Sequence, residues 1–230
     1  MKYPLVFATA AALLTFLAFQ LGGAWWLLLW PAVSFAAVAL AYAGAGARVF
    51  GKQPDGRMWP GAVLVLLPYL LLTWGTWHLA RKLSREPAHA EVVPGLRVGR
   101  RLLSGELPPG TGAVLDLTSE FIEPHGIRTA CRYVSLPILD ASTLPVDRVA
   151  PVLRELATLR EPLYVHCAQG HGRTGMLAAA LLLARDQASD ARTALTLVQR
   201  ARPGVRLSPA QARALEELAA ALRAPSGDPG

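Results

Sequence analysis

Three long apolar segments in the first eighty residues constrain the fold of this chain more than any other feature. They cover residues 5–21, 24–43 and 62–80, and none of them contains Asp, Glu, Lys or Arg. Each segment approaches the roughly 20 residues that an α-helix needs to cross a lipid bilayer. We therefore predict a transmembrane region over residues 1–80 that consists of about three helices.

A cleaved signal peptide is the alternative for the first segment, because Lys2 gives the chain a basic start. However, Gly22 and Gly23 lead directly into Trp25 and Trp26 and then into the second apolar segment, which favours a helical hairpin. No acidic or basic residue lies at the centre of a segment, so nothing indicates a transporter or a channel.

The distribution of charged residues divides the chain near Arg81. Beyond this point the sequence predicts a basic juxtamembrane linker over 81–92, one compact domain over 93–222 and a disordered tail over 223–230. The flank after the third segment carries six basic residues up to Arg101, whereas the loop over 44–61 carries three. This difference favours a multi-pass protein of the cell inner membrane whose second domain lies in the cytoplasm.

The net charge of +7 raises the question of nucleic-acid binding. The basic residues are dispersed among acidic ones, and the chain has no motif that reads nucleic acid. A basic surface that faces anionic lipids explains the charge, so we expect a bilayer and no nucleic acid as a partner. The sequence leaves the oligomeric state open.

Predicted strands and helices alternate after residue 93. We predict strands over 96–98, 113–117, 132–137 and 163–166, a short helical turn over 119–123, and helices over 145–159, 172–186, 189–201 and 209–222. This alternation indicates an α/β domain with a central, mostly parallel sheet that is flanked by helices.

The ten residues from His166 to Gly175, with the sequence HCAQGHGRTG, form the most informative motif. A short apolar run precedes them and a longer one follows, so the motif joins the end of a strand to the start of a helix. Unpaired backbone N–H groups and the helix dipole at such a position attract a tetrahedral oxyanion. The same field favours the thiolate of Cys167, and the guanidinium of Arg173 can hold two phosphate oxygens.

The motif resembles the His-Cys-x5-Arg-Ser/Thr signature of the cysteine-dependent protein tyrosine phosphatase superfamily. The short domain around it looks like the dual-specificity branch, in a bacterial-type member anchored in the membrane. The resemblance covers about residues 93–220 and implies that Cys167 is the nucleophile and that Arg173 binds the phosphate. The phosphate would be surrounded by the loop residues Ala168, Gln169, Gly170, His171, Gly172 and Arg173. The plainer interpretation of Cys167 is a small buried apolar residue.

Expulsion of an alkoxide or phenoxide from phosphorus needs a general acid. In the family this acid follows a strand with a Pro-x-x-Asp pattern, so the resemblance assigns the role to Asp140, three residues after Pro137. Asp147 is the competitor, although a carboxylate in the first turn of a predicted helix is ordinarily explained by the helix dipole. In a third interpretation Asp140 only caps a turn.

Other positions follow the family pattern one at a time. The resemblance implies that Thr174 stabilises the leaving thiolate and that His166 orders the loop through hydrogen bonds. Ala168 and His171 occupy variable loop positions where phosphatases of inositol phosphates often carry lysines, which weakens the case for an inositol lipid.

The segment around Arg200 and Arg202 resembles the Arg-Pro segment of the family. Two interpretations remain open: one of these arginines faces the pocket, or both are solvated surface charges. Cys131 lies on a predicted strand, where it is either a core residue or a disulfide partner for oxidised Cys167. The spacing of the two cysteines fits no usual metal site, so we expect neither a metal nor a cofactor.

These observations predict a metal-independent phosphomonoester phosphatase that acts through a phospho-cysteine intermediate. The expected substrates are phosphotyrosine, phosphoserine and phosphothreonine in proteins near the membrane. The alternative is a phospholipid phosphate, such as phosphatidylglycerophosphate or a phosphoinositide. A non-catalytic phospho-binding scaffold is a third interpretation.

Overall fold

The computed structural model describes residues 2–223 and divides the chain into two compact units. Among the described residues, the first unit takes residues 2–85 together with the segment Ser119–Glu123, and the second takes Glu86–Thr118 and residues 124–223. The tail expected over 223–230 lies outside the described residues except for Arg223.

The first unit contains three helical segments that are long and apolar enough to cross a membrane. Helix α1 spans Lys2–Leu21, and α3 spans Pro60–Leu83. The second long segment, Gly23–Ala45, consists of a 3₁₀ turn over Gly23–Leu28, α2 at Leu29–Leu40 and a π-helical turn at Ala41–Ala45. Helix α3 thus continues three residues beyond the expected end at residue 80. Arg81 and Lys82 occupy its last turn, where basic side chains complement the partial negative charge of the terminal carbonyl groups.

The segment Ser119–Glu123 is irregular, so the helical turn expected there is wrong. Its backbone groups bind partners distant in the sequence: the Trp74 indole N–H donates to the carbonyl of Glu120 at 2.9 Å, and the Gly56 carbonyl accepts from the N–H of Glu123 at 3.0 Å. Because these groups are already bonded, they are not available for a helical turn. The next helix, α4, begins only after Pro124 and spans His125–Ala130.

The second unit is built around a five-stranded sheet with the strand order β1-β2-β5-β3-β4. The strands are β1 at His89–Val93, β2 at Leu96–Arg100, β3 at Ala113–Thr118, β4 at Arg132–Ile138 and β5 at Leu163–Cys167. Only the β1–β2 pair is antiparallel, and every other pair is parallel. The predicted α/β domain with a mostly parallel sheet is therefore confirmed.

Strand β1 begins inside the segment 81–92 that the sequence indicated as linker and ends one residue beyond it. It pairs with β2 through a tight turn at Gly95, whose φ of +81° suits a residue without a side chain beyond Cα. Its residues are half-buried except for Glu91, so the strand has little of the apolar signal that marks β3 and β5. Pairing with β2, which the isolated segment does not reveal, forms this strand.

Helices cover one face of the sheet and form most of the core. These helices are α5 at Val146–Ala157, α6 at Gly172–Ala184, α7 at Ala191–Ala201 and α8 at Pro209–Arg223. Every residue of α6 from Arg173 to Leu183 is buried, because α5, α7 and α8 all pack around it. The opposite face is covered by a smaller cluster of Leu102, Val114, Ile127 and Tyr164. This arrangement places the end of β5 and the start of α6 at the centre of the domain.

Candidate active site

The loop between β5 and α6 contains the motif that the sequence singled out. Cys167 is the last residue of β5, and α6 begins at Gly172. Gly170 has φ of +76°, and a Cβ there would collide with the backbone carbonyl of Gly99 and lie 2.6 Å from the nitrogen of Arg100. Only glycine fits this position, because the loop curls tightly against the end of β2.

The carbonyl groups of this loop point away from its centre. The Ala168 oxygen accepts a hydrogen bond from the Arg101 N–H at 3.1 Å, and the His171 oxygen accepts one from the Gly175 N–H at 2.7 Å. A trans peptide group holds its C=O and N–H in opposite directions, so an outward carbonyl turns the next N–H inward. The Gly170 N–H, which belongs to the same peptide group as the Gln169 carbonyl, donates a hydrogen bond to the sulfur of Cys167 at 3.3 Å. This geometry is suited to an anion at the N-terminus of α6, and we call the position the candidate anion site.

Arg173 lies in the first turn of α6 and is 2% exposed. Its Nη1 donates to the Ile138 carbonyl at 2.8 Å and to the Leu117 carbonyl at 3.3 Å. These carbonyls belong to the ends of β4 and β3, so the guanidinium is tied to the strand ends on one side of the loop. Arginine stays protonated under all ordinary conditions and therefore supplies a permanent positive charge there.

Asp140 lies just beyond β4, next to this guanidinium. Its Oδ1 is 3.4 Å from Nη2 of Arg173, while 69% of its side chain is exposed. Ala141 follows with φ of +54°, and the hydroxyl of Ser208 donates to its carbonyl at 3.2 Å. The carboxylate thus lies beside the candidate anion site and remains open to solvent, as a group that exchanges protons requires.

The other predicted site residues lie at different depths. Asp147 is exposed in the first turn of α5, as the helix-dipole interpretation expects. Thr174 follows Arg173 in α6 with no exposed surface, and its hydroxyl has no hydrogen-bond partner among residues 2–223. His166 is buried beneath the loop, and its Nε2 is 3.9 Å from Oδ1 of the buried Asp116.

Asp116 is a buried acid that the sequence analysis did not identify. It accepts hydrogen bonds from the N–H and hydroxyl of Thr118 at 2.8 and 2.7 Å and from the Tyr133 hydroxyl at 2.6 Å. These bonds compensate its burial on β3 and fix its position next to His166. Thr118 lies only two residues further along β3, but Tyr133 comes from β4 and its contact with Asp116 cannot be inferred from the local sequence.

A cluster of three ionisable side chains, Glu86, His171 and Arg202, lies on the outer side of the loop. His171 Nε2 is 2.7 Å from Oε2 of Glu86, and Nη2 of Arg202 is 3.1 Å from the same oxygen. Burial alone would raise the pKa of the Glu86 carboxyl. The hydrogen bond with His171 and the charges of His171 and Arg202 outweigh that effect and hold the pKa below its ordinary value.

The sequence left open whether Arg200 or Arg202 faces the pocket. Arg200 lies on the surface, whereas Arg202 is only 3% exposed.

Cys131 is half-buried, and its thiol is 3.7 Å from the Ile127 carbonyl. It packs beside the smaller cluster of Leu102, Val114, Ile127 and Tyr164. Both cysteines are free thiols in this structure.

Comparison with known proteins identifies the type of domain. Residues 110–216 match the model of a family described as "PTP-SAK: Swiss Army Knife protein, DSP-PTPase phosphatase domain". This part of the chain is therefore similar to phosphatase domains of the dual-specificity type, which confirms the resemblance stated from the motif.

Solved structures share the fold. A mouse putative dual specificity phosphatase complexed with zinc tungstate is 19% identical, with a TM-score of 0.53 over 61% of this chain and 92% of that one. PTPMT1 in complex with PI(5)P is 15% identical, with a TM-score of 0.53 over 59% and 97% of the two chains. Tk-PTP in its active form is 25% identical, with a TM-score of 0.52 over 58% and 97%.

The close approach at Gly170 generates a test of the loop geometry. We expect Gly170→Ala to lower kcat/KM for p-nitrophenyl phosphate by at least ~10-fold, because a displacement of about 1 Å in a catalytic group can cost ~100-fold. Gly110 is a matched control: its φ is +74°, but no atom lies within 4 Å of the Cβ it would carry. Gly110→Ala adds a similar backbone strain without a collision, so equal activity of the two variants would contradict the account.

Proposed function

We propose that this chain is a membrane-anchored phosphomonoester phosphatase that works through a phospho-cysteine intermediate. The observation that carries the proposal is the hydrogen bond from the Gly170 N–H to the sulfur of Cys167, at 3.3 Å. This bond stabilises negative charge on the sulfur, which is the nucleophilic form of the thiol. Arg173 and Asp140 lie at the same end of the sheet, so a nucleophile, a phosphate ligand and an acid come together.

In the first step, the thiolate of Cys167 forms a bond to phosphorus in line with the bond to the leaving oxygen. The loop N–H groups and Arg173 hold the three equatorial oxygens, where charge is spread in the transition state. As the P–O bond breaks, the protonated carboxyl of Asp140 transfers its proton to the leaving oxygen and an alcohol or phenol departs. The enzyme is left with a phospho-cysteine and an ionised Asp140.

In the second step, Asp140 accepts a proton from a water molecule while the water oxygen bonds to phosphorus. The S–P bond breaks, inorganic phosphate is released and the thiolate of Cys167 is restored. We assign the stabilisation of that thiolate to Thr174, whose buried hydroxyl has no other partner in residues 2–223. No metal or cofactor enters this scheme, because the loop amides and Arg173 supply the positive charge.

The first unit supports the membrane part of the proposal. Its three long helices expose many large apolar side chains, including Leu5, Phe19, Leu27 and Leu71. Exposed apolar surface of this extent is costly in water and stable in a bilayer. The basic flank from Arg81 favours a cytoplasmic position of the second unit, where reducing conditions protect the thiol of Cys167.

We propose phosphorylated proteins as substrates, with tyrosine, serine or threonine esters. Two features of the loop support this choice. The loop lacks the lysines expected for inositol phosphates, and Glu86 balances the charge of His171. A phospholipid phosphate is the second candidate. It is favoured by the three apolar helices and by the similarity to PTPMT1, whose structure was solved with PI(5)P.

The substrate class is tested with the full chain in vesicles. Phosphate release is measured from phosphopeptides, from phosphatidylglycerophosphate and from a phosphoinositide in the bilayer, with Cys167→Ser as the blank. We expect the highest kcat/KM for phosphopeptides and no release by Cys167→Ser, because a serine hydroxyl does not ionise at neutral pH. Faster release from a lipid would favour the second candidate, whereas binding without turnover would favour a scaffold.

The role of Asp140 is tested through the leaving group. We expect Asp140→Asn to lower kcat ~10²-fold or more on an alkyl phosphate but far less on p-nitrophenyl phosphate, because only a poor leaving group needs the proton. Asp147→Asn is the matched control, since it removes an exposed carboxylate seven residues later. Equal losses on both esters, or a larger loss from Asp147→Asn, would assign the acid elsewhere.

A further inference from the structure

We propose that Arg202 is a positioning residue that aims the amides of the phosphate-binding loop, and that Glu86 holds it in place. Arg202 follows the last residue of α7, far from Cys167 in the sequence, and its side chain is buried. This inference rests on the proposed function, because it assumes that the loop binds the phosphate of the substrate.

The contacts of Arg202 are with carbonyl groups of the loop. Its Nε donates to the Gly170 carbonyl at 2.9 Å, and its Nη2 donates to the Gln169 carbonyl at 2.9 Å. Its Nη1 donates to the carbonyl of Pro87, also at 2.9 Å. A rigid planar fork therefore fixes two successive peptide groups of the loop against the segment before β1.

Fixing these carbonyls determines where the following amides point. The peptide group that contains the Gln169 carbonyl also contains the Gly170 N–H, which points the opposite way, to the sulfur of Cys167 at 3.3 Å. The next peptide group likewise contains the Gly170 carbonyl and the His171 N–H, which point in opposite directions. Arg202 thus sets the direction of two of the donors that would meet the phosphate oxygens.

With these contacts, each of the four loop carbonyls from Ala168 to His171 has a hydrogen-bond donor. The Ala168 and His171 carbonyls are held by the N–H groups of Arg101 and Gly175, which belong to the backbone. The two carbonyls between them accept from a side chain, so this part of the loop depends on one residue. Without Arg202, the Gln169 and Gly170 peptides lose the bonds that hold them, and a carbonyl that is shielded from water and has no donor is unfavourable.

Glu86 anchors the guanidinium from its outer side. Its Oε2 is shared between Arg202 at 3.1 Å and His171 at 2.7 Å. Gly204 makes room for this pair, because a Cβ at that position would collide with Oε1 of Glu86 and lie 2.6 Å from Nε2 of His171. The carboxylate balances the positive charge and keeps the fork aligned with the loop.

The test measures binding of inorganic phosphate to the full chain in detergent by isothermal titration calorimetry, together with kcat and KM on p-nitrophenyl phosphate. We expect Arg202→Ala to weaken phosphate binding and to lower kcat, each by ~10-fold or more, because misdirected amides stabilise the transition state poorly. Arg200→Ala is the matched control. Arg200 is exposed two residues earlier, and its removal should change neither quantity by more than about twofold.

A conservative variant separates positioning from a general loss of stability. Arg202→Lys keeps the charge but not the fork, so we expect weaker phosphate binding than in the wild type and stronger binding than in Arg202→Ala. If Arg202→Ala does not fold, the phosphate affinity of Arg202→Lys alone tests the proposal. Wild-type phosphate affinity in Arg202→Lys, or an affinity in folded Arg202→Ala within twofold of the wild type, would overturn the proposal. A wild-type chain that binds phosphate without turnover would contradict only the proposed function.

Discussion

The proposed site depends on one backbone constraint. The four residues between Cys167 and Gly172 must turn their N–H groups inward to bind an anion, so their carbonyl groups must turn outward and find donors. An outward carbonyl in a buried loop without a donor would be unfavourable. The protein provides these donors from three places, namely the N–H of Arg101 beyond β2, the first turn of α6 and the guanidinium of Arg202. Gly170 lets the loop approach β2 closely enough for this to happen.

The parallel sheet explains why the chemical groups meet. Strands β3, β4 and β5 run in the same direction, so the residues that follow them emerge at one edge. Arg173 connects this edge, because its side chain reaches the carbonyls at the ends of β3 and β4 and the carboxylate of Asp140. Before substrate binds, Asp140 and Arg173 are paired. A phosphate that binds Arg173 therefore arrives beside the proposed acid.

The sequence predicted the structure correctly where an element depends mainly on residues that are close together in the chain. Strand β5, the loop and α6 form one continuous stretch whose apolar runs and glycines predict the order strand, loop and helix, and the structure follows it. The sequence did not reveal the irregular segment Ser119–Glu123 or the burial of Arg202, because both depend on partners distant in the chain. It did not reveal β1, because the residues of that strand are at most half-buried and carry little apolar signal. Arg200 and Arg202 are chemically identical in sequence, yet only Arg202 is buried, because the loop carbonyls lie beside it.

The proposed phospho-cysteine is the central claim, and it can be observed directly. The full chain is mixed with p-nitrophenyl phosphate, quenched with acid within milliseconds, digested and examined by mass spectrometry. We expect one added phosphate on the peptide that contains Cys167 and none on the peptide that contains Cys131. Asp140→Asn should still form this intermediate from such a good leaving group but hydrolyse it slowly, so the phosphorylated fraction should rise. A wild-type enzyme that turns over without any phosphate on Cys167, or with phosphate on another residue, would contradict the account.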